Sequence, residues 1–228
     1  MTPPPLILQD WRAWWPGQAR PDESRLSGEE RPAGKAVPAM LRRRLNLPGR
    51  AVSDMLDALD PEANRVLVHA SRHGDGERTL QMLEALTDGQ PVSPARFGLS
   101  VHNAILGVHS IASSNRRSQQ ALAASGAELA ALFSEARGYL AAGERSVVVV
   151  FSDAPVPARF RGTDTPEVEL AAVAMRLGTD AGRVITPEPL ASSTAPCRAP
   201  QPTDVIRWLL GEAPLGCPGR RLSWRLAP

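Results

Sequence analysis

Cysteine is almost missing from this chain: there are two among 228 residues. Both, Cys197 and Cys217, stand in a Pro/Gly-rich tail, and none occurs between Met1 and Pro196. That excludes a disulfide framework as the organising device. No histidine accompanies them in the tail, so no metal site is expected either. Lysine is scarcer still, with Lys35 alone, and arginine carries nearly all the positive charge of a net +2. Such arginine usage is the mark of a GC-rich genome. Aromatic residues make up 4% of the chain, which leaves little for stacking on bases, so nucleic acid is not an expected partner. No run of about 18 apolar residues is present, which argues against a membrane-spanning helix. The start, Met1-Thr2-Pro3-Pro4-Pro5, lacks the basic flank and apolar core of a signal peptide, so a cytoplasmic protein is expected. With 43% hydrophobic residues the chain can bury one sizeable core. The expectation is a single domain over 1–228, with a loop-rich insertion at about 18–37 and a Pro-rich connection at about 186–202.

What is present is concentrated between residues 97 and 154. Phe97 to Asn103 is expected to open a helix, with Val101, Ala104, Ile105, Val108 and Ala112 on one face. A short extended run follows at 118–124 and breaks at Ser125-Gly126. A second helix places Leu129, Leu132, Phe133, Ala136 and Leu140 on one stripe and ends at Gly143. The unbroken apolar run at 147–151 then reads as a strand covered on both faces. Before this core lie a first strand at 6–8 with Trp11, Trp14 and Trp15 beside it, read as core or interface. A helix starting near Arg50, a strand at 66–70 and a helix at 77–87 with Leu80, Leu83 and Leu86 complete the first half. Pro48-Gly49 reads as a break between two helices. After it, 170–177 fits a strand or a short helix by pattern alone. Thr203-Asp204 is expected to cap a short helix, and 221–226 alternates as an edge strand does.

Chemistry-bearing patterns are few. The loop Ser71-Arg72-His73-Gly74-Asp75-Gly76 has neither the Walker nor the dinucleotide glycine spacing. Gly98-Leu99-Ser100-Val101-His102 has only the first half of a nucleophile elbow, and a loop entering a helix capped by Ser100 accounts for it. His102 and His109 stand seven apart on one expected helical face, with no Asp, Glu or Cys at ligand spacing. His69 and His73 straddle a strand end and are expected to diverge. Neither metal nor cofactor is therefore expected.

Three segments carry a resemblance: Ser100-Val101-His102-Asn103 with Gly107, Ala121-Leu122-Ala123-Ala124-Ser125-Gly126, and Ala141-Ala142-Gly143-Glu144-Arg145. Together they resemble the N-terminal half of the β-ketoacyl synthases of the thiolase superfamily. More narrowly they resemble the short chain-length-factor proteins found with aryl-polyene and xanthomonadin-type pigment synthases. The resemblance implies an α/β, thiolase-like half-domain: a mostly central five-stranded mixed sheet with helices on both faces, in which 170–177 is the hairpin partner of 147–151. It also implies that the family's nucleophilic cysteine falls at Ser125/Gly126, where this chain has none, and that most of a second half-domain is missing. A non-catalytic subunit is then expected, pairing as a heterodimer with a full-length ketosynthase and shaping its acyl tunnel in polyene, polyketide or fatty-acid-type synthesis. Phe97, Ser100, Val101 and Asn103 match the segment reaching toward the partner's pocket, and Gln119, Gln120, Ala121, Leu122 and Ala123 match the interface strand. Arg42, Arg43 and Arg44 are a candidate docking face for an acyl carrier protein by charge steering. Two other readings stay open: a serine-dependent acyltransferase or hydrolase using Ser125 with a histidine, and a stand-alone homodimer that binds acyl carrier protein.

Overall fold

The computed structural model describes residues 4–163, 167–191 and 198–228. Its frame is one mixed sheet of nine strands among those residues. At the centre lies β5 (Ser146–Asp153), whose residues from Val147 on are all buried. It runs parallel to β3 (Val66–Ala70) and antiparallel to β6 (Ala171–Gly178). Beyond β3 lies β4 (Gln119–Leu122), parallel to it and at the end of the sheet. Beyond β6 come β1 (Leu6–Trp14), β7 (Arg183–Pro189), β9 (Leu222–Leu226) and β8 (Leu215–Cys217), and β2 (Leu26–Ser27) pairs with β1 off this path.

The alternation of a strand explains the layers. Val147, Val149 and Phe151 pack with α6 (Glu128–Ala141) and α7 (Pro202–Leu209) on one face. Val148 and Val150 pack with α2 (Leu47–Leu59) and Leu106 of α5 (Ala104–Ser113) on the other. All five stripe residues expected on α6 are buried, and the chain leaves that helix through Gly143 at a positive φ of 102°. The helix–sheet–helix order and the α/β class agree with expectation. The strand count does not: nine replaces five, because β1 and the C-terminal strands lengthen the sheet past β6. Pro187 and Pro189 hide β7 in the sequence. Both lie where that strand pairs with β9 alone, since its pairing with β1 covers only Arg183 to Ile185.

Several local readings change for identifiable reasons. Pro48-Gly49 does not separate two helices but forms the first turn of α2, where proline's missing N–H is no loss; Asn46 caps it by accepting from Gly49 N–H at 2.9 Å. The residues around Arg42 form only a four-residue helix, α1 (Ala39–Arg42). Gln201, not Thr203-Asp204, stands at the N-cap of α7, and its N–H is held by the Asp204 carboxylate at 2.8 Å. Strand β9 is paired on both sides and is not an edge. The 18–37 segment is anchored by buried Leu26 in β2 and by the Trp14 indole donating to the Glu29 carbonyl at 2.7 Å. Part of the 186–202 connection, residues 192–197 with Cys197, lies outside the described residues. Among the described residues no helix is long and apolar enough to cross a membrane.

Candidate functional site

The residues singled out from the sequence gather around the C-terminal ends of β3 and β5 and the sheet edge beside them. In β4 all four residues are half-buried, and no strand pairs with its outer side among the described residues. Its backbone orientation follows from two bonds: the Ser118 carbonyl accepts from Leu67 N–H of β3 at 3.1 Å and the Leu122 carbonyl from Ser71 N–H, just past β3, at 3.2 Å. Alternation then turns the Gln120 peptide groups toward β3 and leaves those of Gln119 and Ala121 facing outward. Ala123, just past the strand, is exposed.

The segment preceding β4 differs from expectation in detail. Phe97 belongs to a separate short helix, α4 (Pro94–Gly98), and α5 begins only at Ala104. Ser100 is no cap; its hydroxyl donates to the Phe97 carbonyl at 2.9 Å. Asn103 occupies the N-cap position of α5 without a side-chain cap bond. Phe97 is 60% and Val101 39% exposed, so two apolar side chains of this segment stand in solvent. Arg43 and Arg44 are exposed, whereas Arg42 lies against Gly34.

Ser125 and Gly126 form the expected turn, with φ of 49° and 100°. What fills the space behind this turn was not foreseen. Glu128, fully buried in the first turn of α6, accepts from Gly126 N–H at 2.9 Å, and Arg72 Nη2 donates to its other oxygen at 3.3 Å. Burial works against the Glu128 charge, but the backbone amides of Gly126 and Glu128 and the Arg72 guanidinium outweigh it and hold the carboxyl below its usual range. The positive end of the helix is thus already satisfied from within the chain. Cys217 of β8 sits beside the same turn, with its Sγ 3.7 Å from the Gly126 carbonyl, but burial pushes the thiol up, away from the thiolate form.

The network continues into the sheet. Asp153 at the end of β5 accepts from Arg72 N–H at 3.1 Å and from the Ser71 hydroxyl at 3.3 Å; burial raises its pKa to about 6 against the pull of Arg72. His69 of β3 lies with Nδ1 3.3 Å from the His102 carbonyl and Nε2 2.8 Å from Ser152 Oγ. A carbonyl can only accept, so Nδ1 carries the proton and Nε2 accepts from Ser152. Burial lowers the His69 pKa to about 4, which keeps the ring neutral. His69, Ser71, His102, Ser152 and Asp153, with Leu99, Val101 and Ile105, line a shallow open cleft. Sequence reasoning missed Glu128 and Asp153 as partners of Arg72. The available signal was a carboxylate on the otherwise apolar stripe of α6 and another ending an apolar strand.

The histidines do not serve Ser125. His102 precedes α5 and packs its ring over Gly74, while buried His109 faces Asp57 and Asp60 of α2 and its turn. They therefore do not share the helical face expected of them. Among the described residues no histidine hydrogen-bonds Ser125, and no cluster of three metal-ligating side chains occurs. If Glu128 has neutralised the helix end, a thiol placed on this turn gains no acidity. Ser125→Cys is expected to titrate at or above about 8.5 in the pH dependence of alkylation, and Ser125→Cys with Glu128→Gln about one unit lower or more. An apparent pKa below 7 for the single variant would contradict this account of Glu128.

The chain belongs to the β-ketoacyl synthase N-terminal domain family, which it matches over residues 11–225. Among solved structures it is similar to a chain of the ketosynthase ApeO in complex with its chain length factor ApeC from Xenorhabdus doucetiae. The TM-score is 0.76 at 25% identity, over 98% of this chain and 99% of that one. The ishigamide ketosynthase/chain length factor is matched with TM-score 0.54 and 12% identity, over 81% of this chain and 67% of that one. A type II polyketide acyl-carrier protein in complex with its ketosynthase, AntDE:AntF, gives 0.56 and 15%, over 82% and 70%. These last two share the fold. No curated protein matches the sequence significantly.

Proposed function

We propose that the chain is a non-catalytic, chain-length-factor-like subunit. It pairs with an active β-ketoacyl-ACP synthase in the cytoplasm and shapes that partner's acyl tunnel as a single ketosynthase-like domain. The observation that carries this reading is the turn at Ser125-Gly126: it has no thiol, and the adjoining helix end is occupied by buried Glu128 and Arg72. Condensation needs a nucleophile to hold the acyl chain and a charged pocket to stabilise the enolate. Both tasks then fall to the partner. The outward-facing amides of β4 and the exposed side chains of Phe97 and Val101 support a role at a subunit boundary. Exposed Arg43 and Arg44 offer cations to an acidic carrier protein, with Arg42 set back against Gly34.

Co-purification with a full-length ketosynthase of the same genome tests the pairing, and turnover of an acyl thioester by the isolated chain would refute the non-catalytic role. Within such a complex, Phe97→Ala is expected to lengthen the product distribution by one or more extension units with little change in condensation rate. The shift should be a broadening, because one methylene discriminates by only about 1–3 kcal/mol. Mass spectrometry of the released products reads it; an unchanged distribution would remove Phe97 from the tunnel wall.

A further inference from the structure

The segment at 18–37 reads from sequence as a loop-rich insertion, yet it is fastened on two sides. Ala13 N–H of β1 donates to the Arg25 carbonyl at 2.8 Å, and Trp15 N–H to that of Ser27 at 2.9 Å. Trp14 holds it again at Glu29, and the Asp54 carboxylate of α2 accepts from Gly34 and Ala36 N–H at 2.8 and 2.9 Å. The segment therefore spans from β1 to α2, and beneath it lies a half-open chamber of about 180 Å³. Ala13, Trp14, Pro32, Ala51 and Met55 line its inner part, and all of them are buried. Small side chains at Ala13, Ala51 and Ala58 keep the chamber wide, where a leucine at either helix position would fill it. A dry apolar cavity of about 150 Å³ is large enough to take up benzene.

The rim decides what kind of molecule fits. Arg12, Arg25, Glu29 and Asp54 line it, two charges of each sign. Arg12 is paired with Asp10 at 2.7 Å, and Arg25 with Glu23 through two of its nitrogens. Asp54 is engaged by its two backbone amides, and Glu29 is exposed. An ion entering the chamber would thus lose its hydration without gaining a buried partner. The Trp14 indole N–H is occupied by the Glu29 carbonyl, so this residue presents ring surface. Met55 adds a polarizable sulfur, which makes favourable contacts at aromatic edges. Exposed Ser24 and Ser27 supply hydroxyls at the mouth. We propose that the chamber binds a small, uncharged aromatic molecule, its ring on Trp14 and Met55 and any hydroxyl turned to Ser24 and Ser27. The chamber shares no residue with the turn at Ser125 or the cleft at the ends of β3 and β5, so this binding is independent of pairing with a ketosynthase.

Benzyl alcohol and its charged counterparts, benzylammonium and benzoate, are the probes, titrated into the full chain with its methionine methyls labelled for NMR. Benzyl alcohol is expected to move the Met55 methyl saturably, with a Kd of about 1 mM or tighter. The methyls of Met82 and Met175, which do not line the chamber, should stay in place. Both ions should bind at least about tenfold more weakly. Ala51→Leu narrows the chamber and should weaken benzyl alcohol binding at least about tenfold while raising the unfolding temperature, as cavity-filling changes do. Ala58→Leu, at an exposed position of α2, carries the same test should Ala51→Leu fail to fold. A Met55 methyl unmoved by ~20 mM benzyl alcohol would overturn the proposal. Unchanged affinity in a folded, filled variant would do the same, and so would a preference for either ion.

Discussion

Ala121→Pro is expected to abolish capture of a ketosynthase while leaving the isolated chain folded. Its peptide groups face away from β3, because the neighbouring Ser118 and Leu122 carbonyls are the ones that accept from Leu67 and Ser71 N–H. Proline there removes an outward amide that no strand uses among the described residues, and edge positions tolerate the ring. Gln120→Pro is the informative contrast. Its backbone faces β3, so the ring deletes a ladder bond and should destabilise the fold by about 1–3 kcal/mol. Circular dichroism and a pull-down separate the outcomes: a folded, non-binding Ala121→Pro and an unstable Gln120→Pro. Normal binding by Ala121→Pro would show that the partner does not extend the sheet.

The second large effect is a pH dependence now concealed by opposition. Burial lifts the Asp153 pKa from 3.8 to about 6, so between those values the folded chain holds a proton that the unfolded chain has released. Stability from this group therefore rises as pH falls through that window. Burial drops His69 from 6.5 to about 4, so there the unfolded chain binds the proton and stability falls on acidification. The two slopes are opposite, each up to about 1.4 kcal/mol per pH unit. Asp153→Asn keeps an oxygen for Arg72 N–H and Ser71 but removes one side of the balance. Denaturant titrations between pH 6 and 4.5 should show the variant losing stability on acidification more steeply than the parent, by about 1 kcal/mol per unit or more. His109, also lowered by burial, adds to that loss, whereas the shift of Glu128 acts below 4.5. Parallel curves for parent and variant would mean that Asp153 is not held protonated.

Much of the fold was legible because periodicity alone distinguishes its parts. The strands at 66–70 and 147–151 and the stripe of α6 are regular and, His69 and Glu128 apart, apolar on the buried side, and each lies where expected. Strand β7 was illegible because its prolines mimic a loop; only the pairing partner reveals that they sit on one free side. Helix α3 (Gly76–Thr87) lies where expected, but its stripe of Leu80, Leu83 and Leu86 is half-buried at Leu80 and exposed at the other two, and the one buried residue is Met82: amphipathicity says which face is apolar and not whether the chain itself covers it. The candidate site was half legible. A turn without a thiol can be read directly, whereas the capture of Glu128 by Arg72 joins residues 56 apart in sequence and leaves no local pattern.

The two ends of the sheet are unequal. Strand β8 has three residues set between Pro214 and Pro218, a short and poor template for another chain, while β4 at the opposite end has no outer partner among the described residues. Strand addition at β4 would therefore have no counterpart at the other end of the sheet, and growth by that route would end in a closed pair.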